Sequence, residues 1–321
     1  MTQLLIQRMK YPTGLYPAAP VQKTGYHRVW IRDNIYTLFG LETKGYKTSV
    51  KTIHAILDIL KKHEYKIDWM IKQPTKDAHR YIHPRYEKDG SEVAGEWGNK
   101  QNDAIGALLW KIGDLDKKGK YEWREGDKEI VQKLVNYLGA IEYWHDADNG
   151  MWENNEEVHA SSIGACLAGL LAVDHIVHVP LHLIAHGEYA LRKILPRESI
   201  TKHIDLALLS LIWPYKIVTV KERDEILKNV EAELVREKGA IRYFGDEYYN
   251  NGKEAEWPLG HLWLAIIYKQ LGKTNKYKFY LDKAKNAMTE EGMPELYYGE
   301  TSEHNENTPL AWAESLMRAA L

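Results

Sequence analysis

Apolar residues recur at positions i, i+3, i+4 and i+7 along most of this chain, the spacing that places them on one face of an α-helix. The segments 53–60, 105–112, 131–138, 259–266 and 277–284 all show it. Clean alternation of apolar and polar residues, which is typical of strands, is scarce, and no Asn-Gly or Asp-Gly turn is flanked by β-branched runs on both sides. The sequence therefore predicts an all-α protein.

The periodic segments predict twelve helices, at residues 2–9, 33–42, 47–63, 102–113, 127–144, 160–174, 181–194, 202–211, 221–236, 256–271, 273–288 and 308–321. Six tryptophans recur 44 to 67 residues apart, at Trp30, Trp97, Trp152, Trp213, Trp257 and Trp312. Each interval accommodates two helices, a turn and a long loop. Stacked helical hairpins form an open superhelix or a closed ring, and long aromatic loops at one end of every second helix favour a ring around a shared pocket. We predict an (α/α)6 toroid of six helical hairpins, a single domain over residues 1–321.

Composition narrows the classes of partner. Lys and Arg number 43 against 45 Asp and Glu, a balance that gives no electrostatic reason to expect nucleic acid or an anionic membrane as partner. The single cysteine, Cys166, excludes an intrachain disulfide. No 18-residue apolar run is present, and the first ten residues lack the order of a signal peptide. The expected location is the cytoplasm. The sequence does not indicate an oligomeric state.

Aromatic usage is skewed towards residues that join an apolar face to a polar group, with 11 Trp and 21 Tyr against 3 Phe. Such faces suit sugars, which present apolar C–H surfaces with hydroxyl rims. Two carboxylates lie in aromatic surroundings, Glu153 after Trp152 and Glu295 in the segment 294–298 (PELYY). Hydrolysis of a glycosidic bond uses such a pair, one as general acid and one as general base. The residues alone leave alternatives: Glu153 as a helix N-terminal carboxylate, and Glu300 or Glu303 in place of Glu295.

Eight short segments, in order along the chain, resemble glycoside hydrolase family 15, which includes glucoamylase, glucodextranase and the N-terminal domain of the phosphorylase kinase α and β subunits. They are 26–33 (YHRVWIRD), 97–103 (WGNKQND), 151–153 with 160–162 (MWE and ASS), 210–215 (SLIWPY), 241–243 with 248–250 (IRY and YYN), 256–259 (EWPL), 294–298 (PELYY) and 309–312 (PLAW). The resemblance covers residues 26 to 321 and is nearest in style to the phosphorylase kinase branch and its microbial relatives. It implies an (α/α)6 barrel.

The resemblance also implies roles for individual residues. Glu153 would be the general acid and Glu295 the general base. Arg32 and Asp33 would clamp the terminal glucose, although Asp33 could instead be a helix N-cap paired with Arg32. The implied substrate-binding set is Tyr26, Trp30, Arg32, Asp33, Trp97, Gln101, Trp152, Arg242, Trp257 and Trp312. Many family glucoamylases carry a second glutamate directly after the acid, whereas this chain has Asn154, so the resemblance does not imply a linkage preference.

The implied activity is exo-acting, inverting hydrolysis that releases β-glucose from the non-reducing ends of soluble α-gluco-oligosaccharides, without a cofactor. No metal is expected, because Pro180 interrupts the histidines at 175, 178, 182 and 186 and no carboxylate lies at ligand spacing. Phosphate-binding glycine loops and a G-x-S-x-G nucleophile motif are absent. Two alternatives remain: a sugar-binding regulatory module without turnover, and another sugar-active toroid, such as a phosphorolytic enzyme or an epimerase.

Overall fold

A computed structural model describes residues 2–95 and 98–321, with side chains from Leu5 onward. This part of the chain forms thirteen α-helices: α1 (Thr2–Met9), α2 (Ile31–Leu41), α3 (Lys47–Lys62), α4 (Glu64–Lys72), α5 (Asn102–Lys117), α6 (Asp127–Ile141), α7 (Ala160–Val173), α8 (Leu181–Ile194), α9 (Leu209–Ile212), α10 (Val220–Asn229), α11 (Pro258–Gln270), α12 (Thr274–Asn286) and α13 (Ala311–Ala320). Two short strands, β1 (Val29–Trp30) and β2 (Arg85–Tyr86), pair antiparallel, with Trp30 opposite Arg85.

The helices form two concentric layers. The inner layer is a closed ring of six helices in which each packs against the next and the last returns to the first: α2, α5, α7, α9, α11 and α13. Each inner helix packs against at least one outer helix, from the set α1, α3, α6, α8, α10 and α12, and α4 packs against α6. The predicted (α/α)6 toroid is confirmed.

Small residues allow neighbouring inner helices to approach closely. A Cβ atom on Gly106 of α5 would lie 2.3 Å from the carbonyl carbon of Ala165 on α7, and one on Gly40 of α2 would lie 2.4 Å from the carbonyl oxygen of Ser315 on α13. The Ser315 hydroxyl accepts a hydrogen bond from the Gly40 N–H at 2.8 Å. Only glycine at these two positions permits the backbones to be so close.

Aromatic side chains fill the centre of the ring. Tyr36 of α2 stacks on Trp312 of α13, with ring centroids 4.3 Å apart, and meets Trp263 edge-on at 5.6 Å. Phe39, one turn further along α2, lies 4.6 Å from Trp213. The toroid is therefore a packed core rather than an open channel. No helix within the described residues has the length and apolarity needed to cross a membrane.

Two segments differ from the prediction. Helix α4 was not predicted, because only Ile67 and Met70 of its nine residues are buried and two residues give little periodic signal. The segment predicted as a helix at 202–211 forms a 3-10 turn, Leu206–Leu208, followed by the four-residue α9. All seven residues from 206 to 212 are buried, so their apolar character comes from burial on all sides rather than from one helical face.

Candidate active site

One cavity of about 390 Å³ opens at the end of the toroid where the chain enters the inner helices. Its walls come from the loops that lead into α2, α7, α11 and α13, together with the first turns of α2 and α13. The lining residues are Ala18, Thr24, Tyr26, Trp30, Arg32, Asp33, Met151, Trp152, Glu153, Asn154, Arg242, Tyr248, Tyr249, Trp257, Glu295, Leu310 and Trp312. Four separate stretches of sequence thus meet in one pocket.

Glu153 lies at the tip of a short loop between α6 and α7. Asp148 and Glu157 close this loop by exchanging two backbone hydrogen bonds of 2.8 and 3.0 Å. The Glu153 backbone has φ +60°, a left-handed conformation that costs a non-glycine residue on the order of 1–3 kcal/mol and persists where the surroundings hold it. Helix α7 begins at Ala160, so Glu153 is not in its first turn and does not act as an N-terminal carboxylate of that helix.

The Glu153 carboxylate is fixed by two donors that precede or begin α2. Its Oε1 atom accepts a hydrogen bond of 2.6 Å from the indole Nε1 of Trp30 and one of 3.1 Å from Nη2 of Arg32. The side chain is 14% exposed, and that surface faces the cavity. The carboxylate is therefore held in a defined position while it remains accessible to a ligand.

Glu295 lies in the loop after α12 and is almost fully buried, at 1% exposure. Tyr26 donates to its Oε1 at 2.6 Å, and the side-chain amides of Asn305 and Asn307 donate to its Oε2 at 2.5 and 2.8 Å. Burial raises the pKa of Glu295, and the three hydrogen bonds oppose that rise because they stabilise the ionised form. The result is a carboxylate that is shielded from water and stabilised instead by three fixed hydrogen-bond donors of the protein.

The two rival glutamates of this loop lie elsewhere. Glu300 is exposed and pairs with Lys253 at 3.3 Å, and Glu303 is also exposed. Neither lines the cavity. Of the three glutamates considered for the base, the fold brings only Glu295 into the pocket.

Arg32 and Asp33 occupy the first turn of α2. The N-cap position of this helix is Trp30, so Asp33 is not the cap. Arg32 donates to Gln101 at 2.9 Å and to Asp103 at 3.3 Å. Burial raises the pKa of Asp33 to about 7; the Arg32 charge opposes this shift, whereas the nearby Glu153 carboxylate adds to it. The pocket thus holds an arginine with fixed orientation beside a carboxyl group that is costly to ionise.

Arg242 forms a second cationic wall. Its guanidinium makes two hydrogen bonds to Asp246, at 2.6 and 2.7 Å. Its central carbon lies 4.7 Å from the ring centroid of Trp257 and 5.4 Å from that of Trp152. Such a guanidinium has little freedom to move and presents a fixed set of donors.

Ten of the twelve predicted site residues line the cavity: Tyr26, Trp30, Arg32, Asp33, Trp152, Glu153, Arg242, Trp257, Glu295 and Trp312. Gln101 does not line it. Its side chain is buried behind Arg32. It accepts a hydrogen bond from the Arg32 guanidinium and donates one to the Gly98 carbonyl at 2.8 Å. Trp97 lies outside the described residues. The roles assigned to these residues in binding and catalysis remain predictions.

Several site residues were not predicted. Asn305 and Asn307 bind Glu295 directly, and Tyr248 donates to the same carboxylate at 3.4 Å. The segment 248–250 was noted as part of a motif, which was a signal for Tyr248. No sequence signal distinguishes the two asparagines from other polar loop residues. Among the described residues, no group of three or more histidines, cysteines or acids could hold a metal ion.

A closed ring of six helical hairpins with a ligand-sized aromatic pocket at one end defines the class of (α/α)6 barrels. Within that class, the chain belongs to the glycosyl hydrolases family 15, whose model matches residues 1–316.

Known proteins agree with this assignment. The chain is 28% identical over 281 residues to the phosphorylase b kinase regulatory subunit alpha, skeletal muscle isoform, of Oryctolagus cuniculus, a match that covers 74% of this chain and 22% of that protein. It therefore spans about a fifth of that relative's length. A glycosidase variant solved in complex with glucose has a TM-score of 0.87 at 20% identity, covering 99% of this chain and 94% of that one. The glucoamylase of Saccharomycopsis fibuligera has a TM-score of 0.64 at 15% identity, covering 98% and 91%.

Proposed function

We propose that this protein is an exo-acting, inverting α-glucosidase that releases β-glucose from the non-reducing ends of soluble α-gluco-oligosaccharides. The observation that supports the proposal most is the presence of Glu153 and Glu295 in one cavity, each with a fixed hydrogen-bond donor from the same short segment, 26–30. A pair of oriented carboxylates across a pocket is the arrangement that glycosidic-bond hydrolysis uses.

In this mechanism the two carboxyl groups act on opposite faces of the sugar. Glu153 donates its proton to the glycosidic oxygen as the bond between that oxygen and C1 breaks. Glu295 takes a proton from a water molecule as the water oxygen bonds to C1 from the other side. The sugar leaves with inverted configuration at C1, and solvent then returns the proton from Glu295 to Glu153. The three donors around Glu295 suit a group that must be ionised before each turnover.

The shape of the pocket favours attack at chain ends. Trp312 lies in its wall, and the same indole stacks on Tyr36 in the packed centre of the toroid. The cavity is therefore closed on the inner side, so a glucan would enter by its terminus and not pass through. Arg32 and Asp33, beside the two glutamates, would bind the hydroxyl groups of the terminal glucose.

The test is incubation with maltose, isomaltose, trehalose and maltotetraose, followed by proton NMR of the anomeric signals. We expect the signal of β-glucose to appear first and the signal of the α-anomer to increase later by mutarotation. Initial release of α-glucose would contradict inversion. A glucose phosphate formed only when inorganic phosphate is present would indicate phosphorolysis instead of hydrolysis.

A second candidate is a sugar-binding regulatory module without turnover. It is favoured by one finding, that the matched relative is named as a regulatory subunit of a kinase. Calorimetry distinguishes the candidates: oligosaccharide binding with no glucose release over days would support the regulatory module. The presence of both carboxylates, and of donors that orient them, favours the hydrolase.

A further inference from the structure

The segment that carries Glu153 is held from one side by its own loop. The Asn149 side chain donates to the Asn154 carbonyl at 2.7 Å and accepts from the Lys100 N–H at 3.1 Å, and the Asn154 N–H donates to the Asn149 carbonyl at 2.9 Å. These bonds fix the backbone on the α6 side. They do not account for the orientation of the two side chains that flank Glu153.

A second segment, 202–207, holds the residue before Glu153. Asp205 is buried, and its Oδ1 atom accepts a hydrogen bond of 2.7 Å from the indole Nε1 of Trp152. The same oxygen accepts the Ala207 N–H at 2.7 Å. Because Asp205 is tied to its own backbone in this way, the acceptor presented to Trp152 has a fixed position.

The residue after Glu153 is held by a neighbouring loop of the same wall, the one that carries Tyr243. The Asn154 side-chain amide donates to the hydroxyl of Tyr243. Lys202 connects the two contacts, since its ammonium group lies 3.9 Å from the ring centroid of Tyr243 and 3.7 Å from Oδ2 of Asp205. The segments are also joined directly, because the Leu206 N–H donates to the Arg242 carbonyl at 2.8 Å.

We propose that Asp205 is a positioning residue that fixes Trp152, and through it the strained loop that presents Glu153 to the glycosidic oxygen. This inference rests on the function proposed above. It assigns to a buried aspartate outside the cavity the task of keeping the general acid in place. Asp205 does not line the cavity, and its removal acts through Trp152 and, through Trp152, on the acid.

The alternative is that Asp205 is merely a cap, since its side chain accepts the second N–H of the 3-10 turn at Leu206–Leu208. Substitution separates the two roles. Serine caps well, but its hydroxyl oxygen lies one bond closer to the backbone than Oδ1, so Asp205→Ser draws the acceptor away from the Trp152 indole and keeps a cap for the Ala207 N–H. Asparagine retains a carbonyl oxygen for both, so Asp205→Asn is the conservative variant. Asp77 caps the 3-10 turn Ala78–Arg80 in the same way, with no tryptophan contact, and Asp77→Ser is the matched control.

Two substrates make the test specific to the acid. Hydrolysis of maltose needs protonation of the leaving oxygen, whereas α-glucosyl fluoride has a leaving group that departs with little help. We expect Asp205→Ser to lower kcat on maltose at least ~10-fold with a smaller change in KM, and to lower kcat on α-glucosyl fluoride less than ~3-fold, because a general acid contributes on the order of 10²–10⁴-fold only where proton transfer is needed. Asp205→Asn and Asp77→Ser should stay near wild type on both substrates.

Equal losses on both substrates, or a loss in Asp77→Ser as large as that in Asp205→Ser, would overturn the positioning role. A measurement without turnover keeps the inference separate from the proposed function. The indole N–H proton of Trp152, assigned with Trp152→Phe, should move upfield in Asp205→Ser and not in Asp77→Ser. An unmoved resonance would refute the positioning role even in an active enzyme. If the wild-type protein hydrolyses neither substrate, the proposed function fails, and the resonance alone decides whether Asp205 fixes Trp152.

Discussion

The side-chain rings of Tyr26 and Trp30 are in tilted contact, with centroids 5.6 Å apart. Each residue donates a hydrogen bond of 2.6 Å to a different glutamate of the pocket. Tyr26 holds Glu295 and Trp30 holds Glu153. The two glutamates are 142 positions apart in the sequence, yet a segment of five residues orients both. Trp30 is itself anchored, because its strand pairs with β2 opposite Arg85. A shift of this segment would therefore move both carboxylates together.

The roles of the two glutamates can be separated by leaving group. We expect Glu153→Gln and Glu295→Gln each to lower kcat on maltose at least ~10²-fold, the lower range for general acid–base catalysis. On α-glucosyl fluoride, Glu153→Gln should recover much of the wild-type rate, since little protonation is needed, whereas Glu295→Gln should not. Glu300→Gln, an exposed glutamate of the same loop, is the control. Near-wild-type turnover on maltose in either catalytic variant would exclude the mechanism.

Removing the tyrosine hydroxyl should change the pH dependence. Tyr26→Phe deletes a hydrogen bond that lowers the pKa of Glu295, so that pKa should rise. A general base must be ionised, and the acidic limb of kcat/KM should therefore move to higher pH. On that limb we expect a loss of about five-fold, what one hydrogen bond of ~1 kcal/mol contributes. Tyr143→Phe removes a hydroxyl that binds the Leu183 carbonyl away from the cavity and should leave the profile unchanged. An acidic limb that stays in place in Tyr26→Phe would show that this bond does not tune the base.

Helical periodicity was sufficient to predict eleven of the helices, whereas the closure of the ring was inferred from the aromatic loops and from the family resemblance. It failed at two short segments, one with few buried residues and one in which every residue is buried. Helix α4 buries only Ile67 and Met70, so its pattern is faint, while the buried turn around Leu206–Leu208 is apolar throughout and was read as a longer helix. The two errors have opposite causes, but in both cases the apolar pattern reports burial and not the backbone conformation.

Short motifs were sufficient to predict the two glutamates of the candidate site. The residues that hydrogen-bond to them could not be predicted where the contact depends on how a loop folds. Glu153 and Glu295 were named from sequence, but Asn305 and Asn307 were not, because nothing local shows that a loop turns back to place two amides on one carboxylate. The contact between Trp152 and Asp205 likewise spans 53 positions. Such pairings depend on the closed ring, which brings separate loops to one end.

The closed inner side of the cavity makes Trp312 a residue on which both stability and pocket shape depend. Its indole is buried, stacked on Tyr36 at 4.3 Å, and packed edge-on against Trp263 at 5.7 Å. Trp312→Ala should lower the free energy of unfolding by about 3–5 kcal/mol, because the variant loses the free energy of burying the indole and leaves a cavity in its place. Trp69→Ala, which truncates a tryptophan that is 48% exposed, should cost less than ~1 kcal/mol. Urea denaturation followed by circular dichroism measures both, and equal costs would contradict this account of the core.

Asp33, which lines the pocket, should lower the free energy of unfolding at neutral pH. Its pKa is about 7 in the folded protein against an ordinary value of 3.8. Below about pH 4 the carboxyl is protonated in both states, and no difference arises. Between about pH 4 and 7 the unfolded chain has lost the proton and the folded chain keeps it, so the free energy of unfolding falls as pH rises. Above pH 7 the full penalty, on the order of 4 kcal/mol, is present.

Asparagine cannot ionise, so Asp33→Asn should be more stable than wild type by about 2–4 kcal/mol at pH 8 and equal to it near pH 4. The penalty is what remains after the attraction of Arg32, whose Nε lies 3.9 Å away, has offset part of the cost of burial. Urea denaturation across this pH range measures it, with the exposed Asp282→Asn as control. A stability difference that is independent of pH would show that Asp33 is not ionising across this window.

The same variant should lose at least ~10-fold in kcat/KM on maltose, since a charge-assisted hydrogen bond to a sugar hydroxyl contributes about 1.5–3 kcal/mol. A gain in stability coupled to a loss of activity would identify this carboxylate as retained for binding rather than for folding.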